Sequence, residues 1–204
     1  HRQASRPRTS DPSAIAAPGR IFTSTGLHPF PVPVEMSRQD IDEVMTHYAH
    51  AADCAMKAGF DGVELHGANG YLIDQFLHSS ANHRTDVYGG TVANRCRFLG
   101  EVVDVLADAV GADRLGVRLS PFGAFNGVHD GDDETLFGTA IELIAAKHIA
   151  YLHVINPEAS GDRTVSAVRT DIPKFARRHY PGTLIVAGGY DAERAERVLR
   201  EGDA

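Results

Sequence analysis

The stretch Val63–Leu72 reads V-E-L-H-G-A-N-G-Y-L and carries the clearest pattern in the chain. Val63 and Leu65 alternate with polar residues, which is the period of a strand with two unlike faces. The strand then gives way to a glycine-containing loop. An imidazole, a carboxamide and a phenol follow within six residues, from His66, Asn69 and Tyr71. Many α/β enzymes place their chemistry in this way, at the carboxyl end of a buried strand.

Working outward from this stretch, predicted strands alternate with predicted helices. The predicted strands are 63–66, 115–120, 151–155 and 183–187. The predicted helices cover about 37–58, 91–110, 133–147, 171–178 and 191–201. A strand, loop and helix repeated in this order predicts a parallel sheet with helices outside.

The polarity of the strands favours one kind of parallel sheet. Polar residues alternate with aliphatic ones in three strands: Glu64, His66, Arg118, Ser120 and His153. A doubly wound sheet is covered by helices on both faces and prefers apolar residues on each. A barrel interior allows polar residues of successive strands to meet. We therefore predict a TIM-type (β/α)8 barrel of which about four βα units are present, with a doubly wound sheet as the alternative.

Length and proline content suggest the domain organisation. A chain of 204 residues fits a single domain. Residues 1–36 contain six of the ten prolines and predict a mostly irregular segment, with a short hairpin near 20–25. Residues 37–204 hold the βα repeats. The first residue is not Met, and four strands are fewer than a barrel needs, so we expect an incomplete chain.

Composition excludes several classes of partner. The formal net charge of -7 argues against a nucleic-acid surface. No apolar run approaches the roughly 20 residues that span a bilayer, and no signal-like start is visible. Cys54 and Cys96 are far apart, which fits a reduced, cytoplasmic compartment. Neither belongs to a Cys/His cluster, so we predict no metal site.

Two interpretations of His66, Asn69 and Tyr71 are open from spacing alone, with about equal weight. In the functional one, two side chains donate hydrogen bonds to one substrate oxygen and the phenol supplies a proton. A phenol carries its proton at neutral pH, and donors aimed at a carbonyl oxygen stabilise charge that develops there. In the structural one, the histidine is a satisfied interior residue, the asparagine supports a turn and the tyrosine packs.

Arg118 and the pair Gly188-Gly189 are further candidates. A lone arginine on a buried strand is costly unless paired. It either pairs with Glu64 inside the barrel or points at an anionic or electron-rich ring. The glycine pair precedes a predicted helix, where free amides and the helix dipole can seat a phosphate.

A polar loop between Ser79 and Arg97 suggests structure rather than chemistry. We expect a semi-buried ion network that holds this loop. Its predicted members are Arg84, Asp86, Arg95 and Arg97.

Four segments together resemble a known family. They are G-F-D-G-V-E-L-H-G-A-N-G-Y-L-I-D-Q-F-L from Gly59, A-N-x-R-T-D-x-Y-G-G from Ala81, N-R-x-R-F from Asn94 and G-V-R-L-S-P from Gly116. They resemble the Old Yellow Enzyme family, and in particular its bacterial alkene reductases of the N-ethylmaleimide reductase type. The likeness covers nearly all of the chain and is most specific from Gly59 to Pro121.

The resemblance implies an FMN-bearing (β/α)8 barrel that reduces activated C=C bonds of enones or nitroalkenes. NAD(P)H would give hydride to the flavin, which would pass it to the carbon β to an electron-withdrawing group. Carried over by motif, His66 and Asn69 would bind the substrate oxygen, and Tyr71 would protonate the α carbon. Arg118 would contact the flavin, and Gly188 and Gly189 would hold its phosphate. Phe122 and Phe125 would line the pocket.

The chain also departs from the family pattern. The strand that begins the family's barrel and the Gly-Arg of its eighth strand have no counterpart here. Two alternatives follow. The chain is a catalytically incompetent piece that does not retain flavin, or it is a relative of the dienoyl-CoA reductases. The second ranks lower, because nothing resembles the iron–sulfur cysteine cluster that many of those carry. Oligomeric state and the choice between NADH and NADPH stay open.

Overall fold

The fold is a parallel sheet flanked by helices, preceded by a segment of short strands. The computed structural model describes residues 9–157, 171–202 and 204. The short strands are β1 (Ser10–Asp11), β2 (Arg20–Thr23), β3 (Gly26–Pro29) and β4 (Val34–Glu35). The main sheet contains β5 (Val63–Gly67), β6 (Leu115–Leu119), β7 (Tyr151–Ile155) and β8 (Leu184–Ala187). The helices are α1 (Arg38–Lys57), α2 (Leu72–Leu77), α3 (Val92–Val110), α4 (Asp133–Ala145), α5 (Ile172–His179) and α6 (Ala192–Glu201).

The strand order decides between the two predicted architectures. The main sheet runs β5-β6-β7-β8, and every neighbouring pair is parallel. A doubly wound sheet would reverse its strand order at a switch point. Strands that follow one another in chain order, each succeeded by a helix, are the units of a (β/α)8 barrel. The predicted partial barrel is confirmed.

The two faces of the sheet differ as the alternation predicts. In β6, Leu115, Val117 and Leu119 are fully buried, whereas Gly116 and Arg118 lie between them. The apolar face packs under α3 and α4, whose buried side chains form one continuous core with it. Polar groups are thereby left on the other face, where a barrel has its interior.

The first long helix begins where its sequence signal predicts. The Ser37 hydroxyl accepts a hydrogen bond from the Asp40 amide at 3.2 Å, and the Ser37 amide donates to the Asp40 carboxylate at 2.7 Å. This reciprocal capping box satisfies two amides that the helix itself leaves unbonded. The predicted start of α1 is confirmed.

The proline-rich segment is more regular than its composition predicts. Strands β2 and β3 form an antiparallel hairpin over residues 20–29, longer than expected, and β1 pairs in parallel with β4. Residues 1–8 lie outside the described range. None of the helices in the described part of the chain is long and apolar enough to cross a membrane.

An arginine anchors this segment to the barrel. The buried Arg84 side chain donates to the carbonyls of Pro12 at 3.0 Å and Met36 at 2.6 Å, and it forms a salt bridge with Asp86 at 2.6 Å. The predicted structural role of Arg84 and Asp86 is confirmed. Arg84 therefore connects the loop after α2 to two distant points of the proline-rich segment.

The other two arginines of the predicted ion network behave differently. Arg95 is buried and pairs with Asp130 at 2.8 Å, so its partner lies outside the predicted network. Arg97 is exposed and donates to the Val87 carbonyl at 2.9 Å. Its inclusion in an ion network is wrong, because no carboxylate of the described residues lies within ion-pair distance of it.

Candidate active site

His66 and Tyr71 lie next to each other at the carboxyl end of β5. Their ring centroids are 5.6 Å apart, and the ring planes are inclined by 54°. Both side chains are exposed, and the Tyr71 ring is 54% accessible. The tyrosine stands at the N-cap of α2, so its backbone direction is fixed by the helix that follows. The structure therefore brings the predicted imidazole and phenol onto one accessible surface.

The charge state of His66 follows from its surroundings. Partial burial lowers the pKa of His66, and the positive charge of Arg118 lowers it further. The two residues are register partners on β5 and β6, which explains the influence of the guanidinium. At neutral pH the imidazole is therefore neutral and has one N–H to donate.

Asn69 occupies a left-handed turn whose backbone groups are both bonded. Its φ is 59°, a region that asparagine tolerates better than most residues. Its amide donates to Ser120 Oγ at 2.8 Å, and its carbonyl accepts from Asn126 Nδ2 at 3.0 Å. The carboxamide forms no hydrogen bond with the described residues. The backbone is therefore fixed, while the side-chain donors are left unbonded among the described residues.

Gly70 allows the loop after β6 to pack directly on this turn. Its φ is 68°, and a Cβ built there would lie 2.4 Å from the Phe125 carbonyl oxygen. Its amide donates to Asp74 Oδ2 at 2.8 Å. A side chain at this position would therefore push away the loop that carries Asn126.

Arg118 does not pair with Glu64, which was one of its two interpretations. Glu64 Oε2 instead accepts hydrogen bonds from His153 Nδ1 and Tyr151 Oη, each at 3.0 Å. The register places Glu64 opposite Gly116, which leaves the space that the Tyr151 side chain needs to reach it. The buried Arg118 Nε has no hydrogen-bond partner, and no ion pair to this guanidinium occurs among the described residues. The second interpretation, in which Arg118 points at a ligand, stays a prediction.

Gly188 and Gly189 connect β8 to α6 with positive φ values of 109° and 69°. Asp191 follows as the N-cap of α6, accepting from the Arg194 amide at 2.8 Å. Because the strands are parallel, this turn lies at the same edge of the sheet as the His66 loop. The turn is three strands away from that loop, with β5 and β8 as the outer strands of the described sheet.

Phe122 contacts two aromatic rings of the core. Its ring lies 5.1 Å from that of Phe175 and 6.2 Å from that of Phe137, centroid to centroid, so it packs on the hydrophobic core. The backbone of Phe122 has a positive φ of 61°, directly after Pro121. The part of Phe122 in lining a pocket stays a prediction. Phe125 is half-buried in the one-turn helix Phe125–Gly127.

A cavity of about 370 Å³ lies beside Tyr71. The proline-rich segment forms one wall through Ile21, Phe30 and Pro31, and Gln75 lies on the other side. The cavity is mostly apolar, which suits an organic ligand better than an ion. Sequence reasoning assigned no functional part to this segment.

Two further residues of the site escaped sequence reasoning. Asp74 and Asn126 fix the Asn69 turn, yet both lie outside residues 63–72. An available signal was the carboxylate four residues after Gly70 in the first turn of α2, because such groups bond nearby loop amides.

These features define a class of protein. Neutral donors, a phenol and a guanidinium whose buried Nε lacks a partner among the described residues lie at the carboxyl ends of parallel barrel strands, an arrangement able to stabilise negative charge on an organic ligand. Among the described residues, no group of three or more His, Cys, Asp or Glu side chains is placed to hold a metal ion.

The chain belongs to the NADH:flavin oxidoreductase / NADH oxidase family, whose model matches residues 3–204. It is 42% identical over 198 residues to a probable flavin mononucleotide-dependent alkene reductase of Leishmania infantum. That match covers 95% of this chain and 53% of the Leishmania protein.

Solved structures give the same family. The old yellow enzyme homologue from Zymomonas mobilis superposes with a TM-score of 0.89 at 35% identity, over 97% of this chain and 55% of that one. Morphinone reductase in complex with tetrahydroNAD gives 0.86 at 35% identity, over 97% and 54%. The chain therefore spans about half the length of the relatives it matches. The predicted family is confirmed.

Proposed function

We propose that the protein is an FMN-dependent ene-reductase that uses NAD(P)H to reduce activated C=C bonds. Its substrates would be small α,β-unsaturated carbonyl or nitro compounds, and its compartment the cytoplasm. The observation that carries the proposal is the placement of His66 beside Tyr71, with the Asn69 turn fixed between them. Family membership supports the flavin, and the morphinone reductase complex with tetrahydroNAD supports a nicotinamide donor.

The residues present fit FMN. The Arg118 guanidinium lacks a protein partner at its buried Nε, so an electron-rich ring edge beside it would supply one. Gly188 and Gly189 form a turn before α6 of the kind that presents amides to phosphate, although the Asp191 carboxylate already caps that helix. When bound, FMN would accept hydride from NAD(P)H and deliver it to the substrate's β carbon.

The side chains of this chain would handle charge and proton. As hydride reaches the β carbon, negative charge moves to the substrate's carbonyl or nitro oxygen. The neutral His66 imidazole and the Asn69 carboxamide would each donate a hydrogen bond to that oxygen, worth about 3 kcal/mol apiece for a preorganised donor. The Tyr71 hydroxyl would give its proton to the α carbon. Hydride and proton together convert the C=C bond to a single bond.

The alternative is that this chain by itself does not retain flavin. It rests on the short coverage of relatives and on the two outer strands of the sheet, β5 and β8, which have one described neighbour each.

The test is flavin retention followed by turnover. The purified chain is mixed with FMN, passed through a desalting column and scanned for the flavin band at about 450 nm. We expect a yellow protein that oxidises NAD(P)H when 2-cyclohexenone is added. A folded but colourless chain supports the alternative, and a yellow chain that reduces no enone or nitroalkene contradicts the proposed reaction.

A further inference from the structure

A chain of hydrogen bonds runs from a buried carboxylate to the substrate turn. Asp74 Oδ2 accepts from the Gly70 amide at 2.8 Å and from the Ser120 hydroxyl at 3.3 Å. Ser120 Oγ in turn accepts from the Asn69 amide at 2.8 Å. Two consecutive amides of the turn are thus held by two side chains, one from α2 and one from the residue after β6.

Burial of the Asp74 carboxylate is unfavourable in free energy and must be offset by hydrogen bonds. Its side chain is fully buried, and a buried carboxylate is expensive unless hydrogen-bonded. His78, also fully buried, lies 3.4 Å from Asp74 Oδ1. The hydrogen bonds that offset the burial of Oδ2 go to the Asn69 turn or to the hydroxyl that holds it. The Asp74 carboxylate therefore holds the backbone of the turn, through the Gly70 amide and the Ser120 hydroxyl.

The second side of the turn is held as well. Asn126 Nδ2 donates to the Asn69 carbonyl at 3.0 Å. The Asn69 side chain stays outside this set of bonds. Clamping both backbone groups leaves rotation about the side-chain bonds as the remaining freedom of the carboxamide, which lowers the entropy lost on binding.

We propose that Asp74, Ser120 and Asn126 are positioning residues that hold the Asn69 carboxamide for the same substrate oxygen as His66. The proposal rests on the proposed function for the identity of that oxygen. The hydrogen bonds of these three side chains to the turn are called the clamp. The proposal predicts a loss of substrate affinity, rather than a general loss of stability, when the clamp is weakened.

The first measurement uses Ser120→Ala in the flavin-loaded protein, with Tyr88→Phe as the matched control. Tyr88 is also buried, and its hydroxyl donates one hydrogen bond, to Glu101 at 2.7 Å. We expect Ser120→Ala to raise the KM for 2-cyclohexenone about tenfold, with unchanged FMN content. Tyr88→Phe should lower the thermal midpoint and leave KM unchanged. A rise of KM in both variants would show a general structural effect and overturn the proposal.

Combination with Asn69→Ala tests whether the clamp acts through Asn69. In that background Ser120→Ala should no longer change KM, because the carboxamide it positions is gone. The half-buried Asn126→Asp, which removes the donor and keeps a residue that tolerates positive φ, should behave like Ser120→Ala. An undiminished KM effect of either change in the Asn69→Ala background overturns the proposal.

Amide hydrogen exchange separates this proposal from the proposed function. We expect residues 67–72 to exchange faster in Ser120→Ala than in wild type, and at the wild-type rate in Tyr88→Phe. Faster exchange in a protein that reduces no enone leaves the clamp standing and contradicts the reaction. Unchanged exchange overturns the clamp, whatever the activity.

Discussion

Glu64 and His153 are joined by a 3.0 Å contact between Oε2 and Nδ1, although β6 lies between their strands. Tyr151 reaches the same carboxylate oxygen with its hydroxyl, also at 3.0 Å. The Tyr151 contact depends on Gly116, because a Cβ there would lie 2.2 Å from Tyr151 Cζ. Hydrogen bonds to Glu64 thus connect β5 to β7 across β6, where Gly116 has no side chain. The pKa of Tyr151 is raised by burial and by its bond to the carboxylate.

Gly116→Ala should therefore destabilise the chain. The new methyl group would overlap the Tyr151 ring, and such overpacking costs about 1–3 kcal/mol. The measurement is the free energy of unfolding in urea. The same change should cost much less in a Tyr151→Ala background, where the ring is absent. An equal loss of unfolding free energy in both backgrounds would show that overlap with the Tyr151 ring is not the cause.

Tyr71→Phe should slow the half-reaction with the enone and leave flavin reduction unchanged. The phenol lies beside His66 with its ring 54% accessible, so its loss removes a proton donor and leaves the fold intact. We expect the oxidation of reduced flavin by 2-cyclohexenone to slow by about 10²–10⁴-fold, the usual contribution of a general acid. Flavin reduction by NAD(P)H should continue at the wild-type rate. Stopped-flow traces at about 450 nm follow both steps, and an equal loss in both would contradict the proton-donor role.

The stabilising effect of His78 should decline as pH rises. Burial opposes its charge, but the hydrogen bond and charge of Asp74, with a smaller effect of Asp133, raise the pKa of His78 above its ordinary 6.5. A group whose folded pKa is raised stabilises fully below its unfolded pKa and loses that effect as pH passes the folded value. The difference in unfolding free energy between wild type and His78→Gln should therefore shrink as pH rises above about 6.5, the ordinary value for the unfolded chain. A difference that grows with pH would contradict this.

Arg84→Met should loosen the proline-rich segment. It leaves the Pro12 and Met36 carbonyls without their donor and Asp86 without its partner, a loss of about 2–5 kcal/mol. Limited proteolysis should then cut within residues 9–36 at lower protease concentrations. The exposed Arg97→Ala is the matched control and should change stability by about 0.5 kcal/mol or less. Equal effects of both changes would show that burial of the guanidinium is not the cause.

The sequence by itself determined the elements and their order. The Ser37–Asp40 capping box, the alternation in β5 and β6, and Asp191 before α6 all act between residues a few positions apart. Such signals work through backbone geometry and local hydrogen bonds, so they can be read without knowing the fold. The closeness of His66 and Tyr71 follows in the same way, because they are only five positions apart in the chain.

Only the tertiary structure decided which distant groups meet. The partner of Glu64 is 89 residues away, the clamp on Asn69 comes from 51 residues away, and Phe122 turned to the core. These pairings depend on strand register, on the gap at Gly116 and on which loops close over the sheet, and none of these is set by neighbouring residues. Several polar groups of similar chemistry could bond Glu64 or Asn69. Which of them does so is decided by the packing of strands and loops in the folded chain.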